Sequence, residues 1–163
     1  MKKITVLFFS IGLMSLMACQ QENKTSLKTY DLLEYGVPVK ILAPDSAEIE
    51  TMDLVVQKDI TVKKGKDYSI QIFSSTASTT DIKQLKANQM EEVRNNPFFS
   101  KVLKEEADGF IYELQIDSTH QSYGFRHFQI KGDNEYIFQT GLIGTFSQEA
   151  VEQMYEAVQP NKK

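Results

Sequence analysis

FIYELQI, at residues 110–116, is the stretch that decides the fold. Its side chains fall into two alternating sets, one of which consists of Phe110, Tyr112, Leu114 and Ile116. A period of two along a whole segment is typical of a β-strand. Two more strands are predicted directly downstream, at 123–130 and 136–143, and they are joined by the short turn 131–134. The three segments therefore predict an antiparallel meander.

The turn between the second and third strands of the meander predicts which side chains share a face. A tight turn around Gly132 and Asp133 suits a two-residue hairpin, and the loop length sets the pairing register. One face is then expected to carry Tyr123, Phe125, His127, Tyr136, Phe138 and Leu142. The other face is expected to carry Arg126, Phe128, Ile130, Ile137 and Gln139.

Upstream of the meander, the sequence predicts further strands and one helix. The predicted strands lie at 37–43, 49–57, 60–62 and 68–73. A hairpin turn is expected at 63–67, where Gly65 is available for positive φ. A helix is expected at 81–95, with an apolar side and a charged side, and Pro97 follows it. A short apolar connector, of one or two helical turns, is expected from Phe98, Phe99, Val102 and Leu103.

The last predicted element is a helix from Gln148 to Gln159. Ser147 suits its N-cap, and Phe146 with Val151 fits a hydrophobic staple. Its apolar stripe consists of Val151, Met154, Tyr155 and Val158. Strands with helices segregated from them indicate an α+β fold. We therefore expect a single α+β domain at 37–160, in which one central helix and one C-terminal helix pack on a mainly antiparallel β-sheet.

This order of elements resembles the PsbP-like and DcrB-like group, which includes bacterial lipoproteins. The resemblance spans most of residues 37–159 and is carried by the element order and the closing hairpin with its helix, without a diagnostic motif. It implies an accessory or assembly role rather than an enzymatic one, and it assigns no functional residue.

The N-terminal segment joins two lysines to an apolar run. Lys2 and Lys3 precede the apolar stretch 4–18, which is shorter than the ~20 residues of a membrane-spanning helix. Such a segment is typical of a signal peptide. Its end, Leu16-Met17-Ala18-Cys19, resembles the lipobox of bacterial lipoproteins, which implies a signal peptide at 1–18 and a lipid anchor at Cys19. The alternative is an ordinary secretory signal with a cysteine nearby by chance.

Residues 19–36 are expected to be the lipidated N-terminus and a flexible spacer, because 20–28 shows no apolar period. By the same resemblance, Gln20 in place of an aspartate after the cysteine implies transport to the outer membrane. The expected location is therefore the bacterial cell envelope, with Cys19 as the membrane contact. Cys19 is the only cysteine, so the domain has no intramolecular disulfide.

Composition excludes several classes of function. The net charge of the whole chain is −4, and the expected mature chain is more acidic still because Lys2 and Lys3 are removed. An acidic, exported protein without a basic stripe does not suit nucleic-acid binding. The apolar content of 41% and the ten phenylalanines exclude a disordered chain.

The sequence contains no glycine-rich nucleotide motif, no zinc-protease motif and no nucleophile elbow. His120 and His127, with Asp117 and Glu113 nearby in sequence, are the residues for a metal or acid–base site. The simpler interpretation places His120 in a loop and His127 as a structural histidine on the aromatic face. We therefore predict no catalytic residues, no metal site and no cofactor.

The second face of the meander carries the candidate binding residues Arg126, Gln139, Phe128 and Ile137. Mixed polar and apolar side chains of this kind suit a peptide or a small ligand. The alternative is structural: the face is covered by the connector at Phe98 and Phe99, and Arg126 pairs with a carboxylate such as Glu113. The cations Lys63, Lys64 and Lys66 suit an anionic lipid or a partner, and the simpler interpretation is a solvated turn.

Together these features predict a membrane-anchored envelope lipoprotein that acts by non-covalent binding, as an accessory or assembly factor. Its expected partners are the membrane, an envelope protein or a small apolar ligand. Two alternatives stay open. One is a small envelope hydrolase that uses a histidine and a carboxylate, and the other is a carrier of an apolar ligand.

Overall fold

Nine strands and two α-helices make up the part of the chain that the structure, a computed structural model, describes, namely residues 26–160. In chain order the strands are β1 (Leu27–Asp31), β2 (Lys40–Pro44), β3 (Glu48–Asp53), β4 (Gln57–Lys64), β5 (Tyr68–Thr76), β6 (Phe99–Glu106), β7 (Gly109–Gln115), β8 (Gln121–Lys131) and β9 (Asn134–Thr140). The helices are α1 (Ile82–Arg94) and α2 (Gln148–Ala157), and a 3-10 helix at Leu32–Tyr35 follows β1.

Seven of the strands form one antiparallel sheet in the order β3-β4-β5-β9-β8-β7-β6, while β1 and β2 form a separate hairpin. This confirms the predicted α+β class, with one central and one C-terminal helix. The predicted meander is present, but it has a fourth strand, β6. The helical connector expected at residues 98–103 is therefore wrong. Pairing with the free edge of β7 supplies the backbone hydrogen bonds of this segment instead of a helical turn.

The pairing of β8 with β9 confirms how the meander distributes its side chains. Arg126 lies opposite Gln139 and Phe128 opposite Ile137, so these four share a face. Since α1 packs on this face, we call it the α1 face. His127 lies opposite Phe138 on the other face, which α2 and the β1–β2 hairpin cover and which we call the α2 face.

Leu142 departs from this expected distribution. Strand β9 ends at Thr140, and Leu142 and Ile143 lie exposed in the loop that leads to α2. The predicted strand ran three residues too far, to residue 143, because residues 142 and 143 are apolar. Pairing of β9 with β5 stops at Thr140, opposite Ile70.

The sheet has two ends, which we name by exposed residues. At the Leu27 end, Leu27 pairs with Pro44, and Lys64 Nζ donates to the carbonyl oxygen of Ser46 at 3.0 Å. This end also contains the β4–β5 turn, the β7–β8 turn and the loop after β9. At the Val55 end lie the β3–β4 turn and the 3-10 helix, whose Tyr35 carbonyl oxygen accepts from Lys58 Nζ at 3.2 Å.

The domain begins ten residues before the predicted boundary at 37. Residues 27–31 form β1, and the side chain of Leu32 is completely buried in the core of the α2 face. Tyr30 packs against the same core, and its hydroxyl donates to the carbonyl oxygen of Pro44 at 3.0 Å. The spacer expected up to residue 36 is therefore wrong for residues 27–36. Residues 1–25, including the predicted signal peptide and Cys19, lie outside the described residues.

A turn replaces the predicted continuous strand at 49–57. Strand β3 ends at Asp53, and β4 begins at Gln57 rather than at Ile60. The intervening Leu54, Val55 and Val56 are exposed, although their apolar character favoured a strand interior. The register of β4 with β5 aligns Ile60 and Val62 with Ile72 and Ile70 in the core, and this alignment places the three apolar residues beyond the sheet.

Both predicted helices are confirmed, and so is the predicted N-cap Ser147 of α2, whereas the N-cap of α1 is Asp81, which was expected to be the first helical residue. Asp81 accepts from the Lys83 amide at 2.8 Å at the start of α1, and Ser147 accepts from the Ala150 amide at 3.2 Å at the start of α2. The predicted stripe of α2 is almost wholly buried against the sheet: Val151, Met154, Tyr155 and Val158 are each no more than 1% exposed.

Truncation of Met154 tests the docking of α2. We expect Met154→Ala to lower the free energy of unfolding by about 2–5 kcal/mol, because it leaves a cavity in a fully buried site. Glu152→Ala, on the exposed side of the same helix, is expected to change it by less than about 0.5 kcal/mol. Chemical denaturation measures both values, and equal small effects would show that α2 is not docked.

Candidate functional site

His127 is a core residue of the α2 face. Its side chain is 3% exposed, and its ring centroid lies 5.4 Å from that of Phe138 and 6.1 Å from that of Tyr155. Gln129 Nε2 lies 3.4 Å from His127 Nε2. The aromatic neighbours leave the imidazole no access to solvent, which agrees with its interpretation as a structural histidine.

His120 lies in the exposed β7–β8 turn, where it pairs with Asp117. The distance between His120 Nδ1 and Asp117 Oδ2 is 2.7 Å, and both side chains are more than half exposed. Amide and hydroxyl donors of Thr119 also bind the Asp117 carboxylate, and these hydrogen bonds lower the pKa of Asp117 to about 2. The arrangement is an Asx-type turn in which the Asp117 carboxylate also contacts the His120 ring, and both side chains are exposed to water.

The two histidines and the predicted carboxylates do not converge. His120 and His127 are seven residues apart on one strand and its turn, a separation of about 23 Å along an extended chain. Glu113 is buried and accepts from Ser100 Oγ at 2.8 Å, with Lys101 Nζ at 3.4 Å. Among residues 26–160, no group of three or more histidine, cysteine, aspartate or glutamate side chains is arranged to hold a metal ion.

The four candidate binding residues do lie together, on the α1 face. Phe128 is buried beneath α1, Ile137 is half-buried beside it, and an Arg126 guanidinium nitrogen donates to Gln139 Oε1. Helix α1 supplies the main cover, and Phe99 of the expected connector packs against the same cluster, whereas Phe98 is exposed. Arg126 faces Glu92 of that helix, with Nη2 to Oε1 at 3.4 Å, whereas Glu113 lies on the opposite face of the sheet.

The hydrogen bonds continue past the residues that the sequence singled out. Gln139 Nε2 donates to Gln71 Oε1 at 3.1 Å, and Gln71 Nε2 donates to Asp59 Oδ2 at 2.6 Å. Arg126, Gln139, Gln71 and Asp59 thus form one directional series across β8, β9, β5 and β4, which we call the polar ladder. Series of this kind strengthen each member through polarisation.

Sequence reasoning missed Gln71 and Asp59 because the pairing of β5 with β9 brings them in. In the sequence, α1 and the first three strands of the meander lie between these two strands. No pattern of neighbouring residues therefore predicts that they pair. The one available sign was Gln71 itself, a polar residue between the buried Ile70 and Ile72.

Next to the ladder runs an apolar row in the same face. Strand pairing aligns Ile137 with Phe73, Phe73 with Asp59, and Asp59 with Met52. Ile137 and Phe73 are half-buried, and Met52 at the outer strand is exposed. We call the surface formed by Met52, Asp59, Phe73, Ile137 and Gln139 the ladder strip.

Two buried polar atoms, one in the strip and one beside it, make no hydrogen bond within residues 26–160. Asp59 Oδ1 and Arg126 Nε are shielded from solvent and have no hydrogen-bond partner within the described chain. Desolvation raises the pKa of the Asp59 carboxyl, against the lowering effect of the Gln71 amide. The strip, together with the adjoining Arg126 of the polar ladder, therefore combines an acceptor, a cation and partly open apolar area, which is the chemistry of a non-covalent recognition surface.

A separate cleft of about 390 Å³ lies between α1 and β6. Its lining consists of Lys86, Ala87, Met90, Glu91, Arg94 and Glu105. Charged side chains of both signs dominate, and Lys86 Nζ already binds Glu105 at 2.9 Å. This lining does not resemble the aromatic cavity that a carrier of apolar ligands needs.

Comparisons with known proteins give no relative for this chain: no family model, no curated protein and no solved structure matches it. No helix in residues 26–160 is long and apolar enough to cross a bilayer.

The raised pKa of Asp59 predicts a pH-dependent stability difference. Because the folded-state pKa lies above the usual 3.8, the contribution of this carboxyl to stability is complete below pH 3.8 and is lost as the pH rises through the folded-state value. We therefore expect Asp59→Asn to be more stable than the wild type at pH 7, by a margin that shrinks on acidification.

Urea denaturation at a series of pH values from 3.5 to 7 measures this margin. The matched control is Glu152→Gln, which removes an exposed carboxylate on α2 and is expected to give a margin near zero at every pH. A margin for Asp59→Asn that stays constant with pH would contradict the raised pKa.

Proposed function

We propose that this protein is a lipid-anchored envelope lipoprotein that acts by non-covalent binding, as an accessory or assembly factor. The lipobox-like Leu16-Met17-Ala18-Cys19 supports the anchor, and Gln20 supports the outer membrane as its location. The ladder strip supports binding, and its proposed partner is an envelope protein that contacts the strip through a mixed polar and apolar surface.

The observation that carries the binding proposal is the polar ladder beside its open apolar row. A hydrogen-bonded series from Arg126 to Asp59 fixes the polar groups in place before any partner arrives, which reduces the entropy that binding costs. Phe73, Ile137 and Met52 offer apolar area next to those groups. Preorganised polar groups with adjacent apolar area are the features of interface cores.

The hydrolase alternative has less support in the geometry. A histidine–carboxylate mechanism needs both groups at one reacting atom, in a cleft that excludes water. His127 is enclosed by aromatic rings, and the His120–Asp117 pair lies in an exposed turn. The accessory role also agrees with what the resemblance to the PsbP-like and DcrB-like group implies.

Mass spectrometry of the mature protein tests the anchor. We expect its N-terminus at Cys19 with the added mass of acyl chains, because the cysteine stands at the lipobox position. Cys19→Ser is expected to abolish acylation and to release the protein from membranes or leave the signal uncleaved. An unmodified N-terminus at another residue would contradict the lipoprotein proposal.

Site-specific photocrosslinking in intact envelopes tests binding against catalysis. A photoreactive residue at Met52, the exposed end of the ladder strip, is expected to give a discrete adduct with one envelope protein. The same residue at Glu156, on the exposed side of α2, is the matched control and is expected to give none.

Two further variants decide which groups the adduct depends on. Phe73→Ala is expected to reduce the yield at Met52 at least fivefold, whereas combined His120→Asn and His127→Gln is expected to retain it. Thermal unfolding by circular dichroism checks that both variants fold, since His127 is buried. No adduct at Met52, or an adduct lost only in the folded double-histidine variant, would overturn the binding proposal.

A further inference from the structure

We propose that the Leu27 end of the sheet rests on the membrane surface. In this orientation Leu142 and Ile143 enter the headgroup region, and Lys64 and Lys66 face anionic lipid phosphates. The proposal deepens the proposed function and rests on the lipid anchor at Cys19. It adds which surface of the domain faces the bilayer and which surface stays available to partners.

The apolar contribution comes from the loop between β9 and α2. Leu142 is 77% exposed and Ile143 is 91% exposed, so two large aliphatic side chains stand side by side in water. The loop has a fixed position, because the Gly141 amide donates to the carbonyl oxygen of Ser69 at 2.9 Å. Its far side is anchored where the Phe146 side chain enters the core of the α2 face. Adjacent aliphatic side chains held at one end of a domain are the feature that inserts into a lipid interface.

A lysine-containing turn lies directly beside this loop. Strand β5, which begins at Tyr68, neighbours β9, and the turn before it carries Lys64, Lys66 and Asp67 on exposed positions. Lys64 Nζ donates to a backbone carbonyl oxygen, and it interacts electrostatically with Asp45, whose carboxylate is already paired with Lys28. Lysines near a bilayer are attracted to anionic headgroups.

The acidic groups at this end are mostly paired within the domain. Asp45 binds Lys28 at 2.7 Å, and Asp117 binds His120 at 2.7 Å. The carboxylates Glu48 and Glu50 share Lys63, at 3.9 and 2.5 Å. Asp67 remains as the acidic residue of the turn itself, and Glu149 adds an exposed carboxylate in the first turn of α2. The electrostatic contribution is therefore small, and the two aliphatic side chains carry the larger share of the contact.

The position of the anchor selects this end of the sheet over the other. Leu27 lies eight positions after Cys19, and a fully extended chain of eight Cα-to-Cα steps spans at most about 28 Å. Leu27 itself lies at the Leu27 end, opposite Pro44. If the Val55 end faced the membrane, the chain would have to run back along β3 and its turn, a length of about 23 Å. That path would use nearly all of the length that the chain between Cys19 and Leu27 can span.

The same constraint favours lipid over a protein as the occupant of this surface. A surface within a short tether of the bilayer meets lipid at a high effective concentration, whatever its affinity for other partners. Met52 lies in the part of β3 that leads to the Val55 end, so this exposed end of the ladder strip remains open to the envelope when the Leu27 end contacts the membrane.

Tryptophan placed at single positions tests the orientation, because the chain has none of its own. The acylated mature protein with Ile143→Trp is reconstituted in vesicles of phosphatidylethanolamine and phosphatidylglycerol. We expect its emission maximum to shift to the blue by at least 10 nm and bromine-labelled acyl chains to quench it at least twofold. Val55→Trp, fully exposed at the opposite end, is the matched control and is expected to show neither change.

A second comparison isolates the lysines. Lys64→Glu combined with Lys66→Glu is expected to reduce the blue shift of Ile143→Trp in phosphatidylglycerol vesicles and to leave it unchanged in vesicles of phosphatidylcholine alone. An equal shift in both lipids for all variants would overturn the role of the lysines. Quenching at Trp in place of Val55 but not in place of Ile143 would overturn the orientation.

Different results would contradict the proposed lipid anchor and the proposed orientation. If the protein is acylated and sediments with vesicles, while Ile143→Trp keeps the emission of an exposed indole, the orientation is wrong and the lipoprotein proposal stands. If the mature protein carries no acyl chain and stays in the supernatant, both are wrong.

Discussion

The pairing of β5 with β9 is the contact on which the rest of the domain depends. It joins the N-terminal strands to the C-terminal meander, from Ile70 opposite Thr140 to Thr76 opposite Asn134. Without it the chain would form two smaller sheets, and neither would bury Ile72 against Phe138. The loop that this contact closes is long, but its entropic cost grows only slowly with length. Burial of several large side chains offsets that cost.

The same contact creates the candidate binding surface. Gln71 and Gln139 meet across the junction of the two halves, so the polar ladder exists only when the sheet is complete. Helix α1 crosses the sheet on this face and covers the meander side, where Phe110, Tyr112 and Phe128 are buried. The strip lies beside the helix, where the outer strands carry half-buried rather than buried side chains. The pairing of β5 with β9 therefore produces both the complete sheet and the candidate binding surface.

Local patterns predicted most of the fold and little of the site. Local patterns identified β7, β8 and β9, and the tight turn at Gly132 gave the register of β8 with β9, because these signals reside in neighbouring residues. The helices followed from their caps and apolar stripes. Residues 99–106 were predicted incorrectly, since their strand depends on a free edge of β7 that the segment itself does not encode. Asp59 and Gln71 were missed for the same reason, as their neighbours come from distant parts of the chain.

The irregular pairing of β6 has a consequence for self-association. An open sheet ends in two edge strands whose free backbone groups invite a second copy to add a strand. Strand β6 shifts register twice against β7, between Phe99 and Lys101 and between Val102 and Lys104, and it carries charged side chains along its length. A regular intermolecular ladder does not fit such an edge. The opposite edge, β3, is regular, but it carries Glu48, Glu50 and Asp53 with their lysine partners, and charged side chains along an edge disfavour the addition of a strand. Neither edge of the sheet therefore favours the addition of a strand from a second copy of the chain.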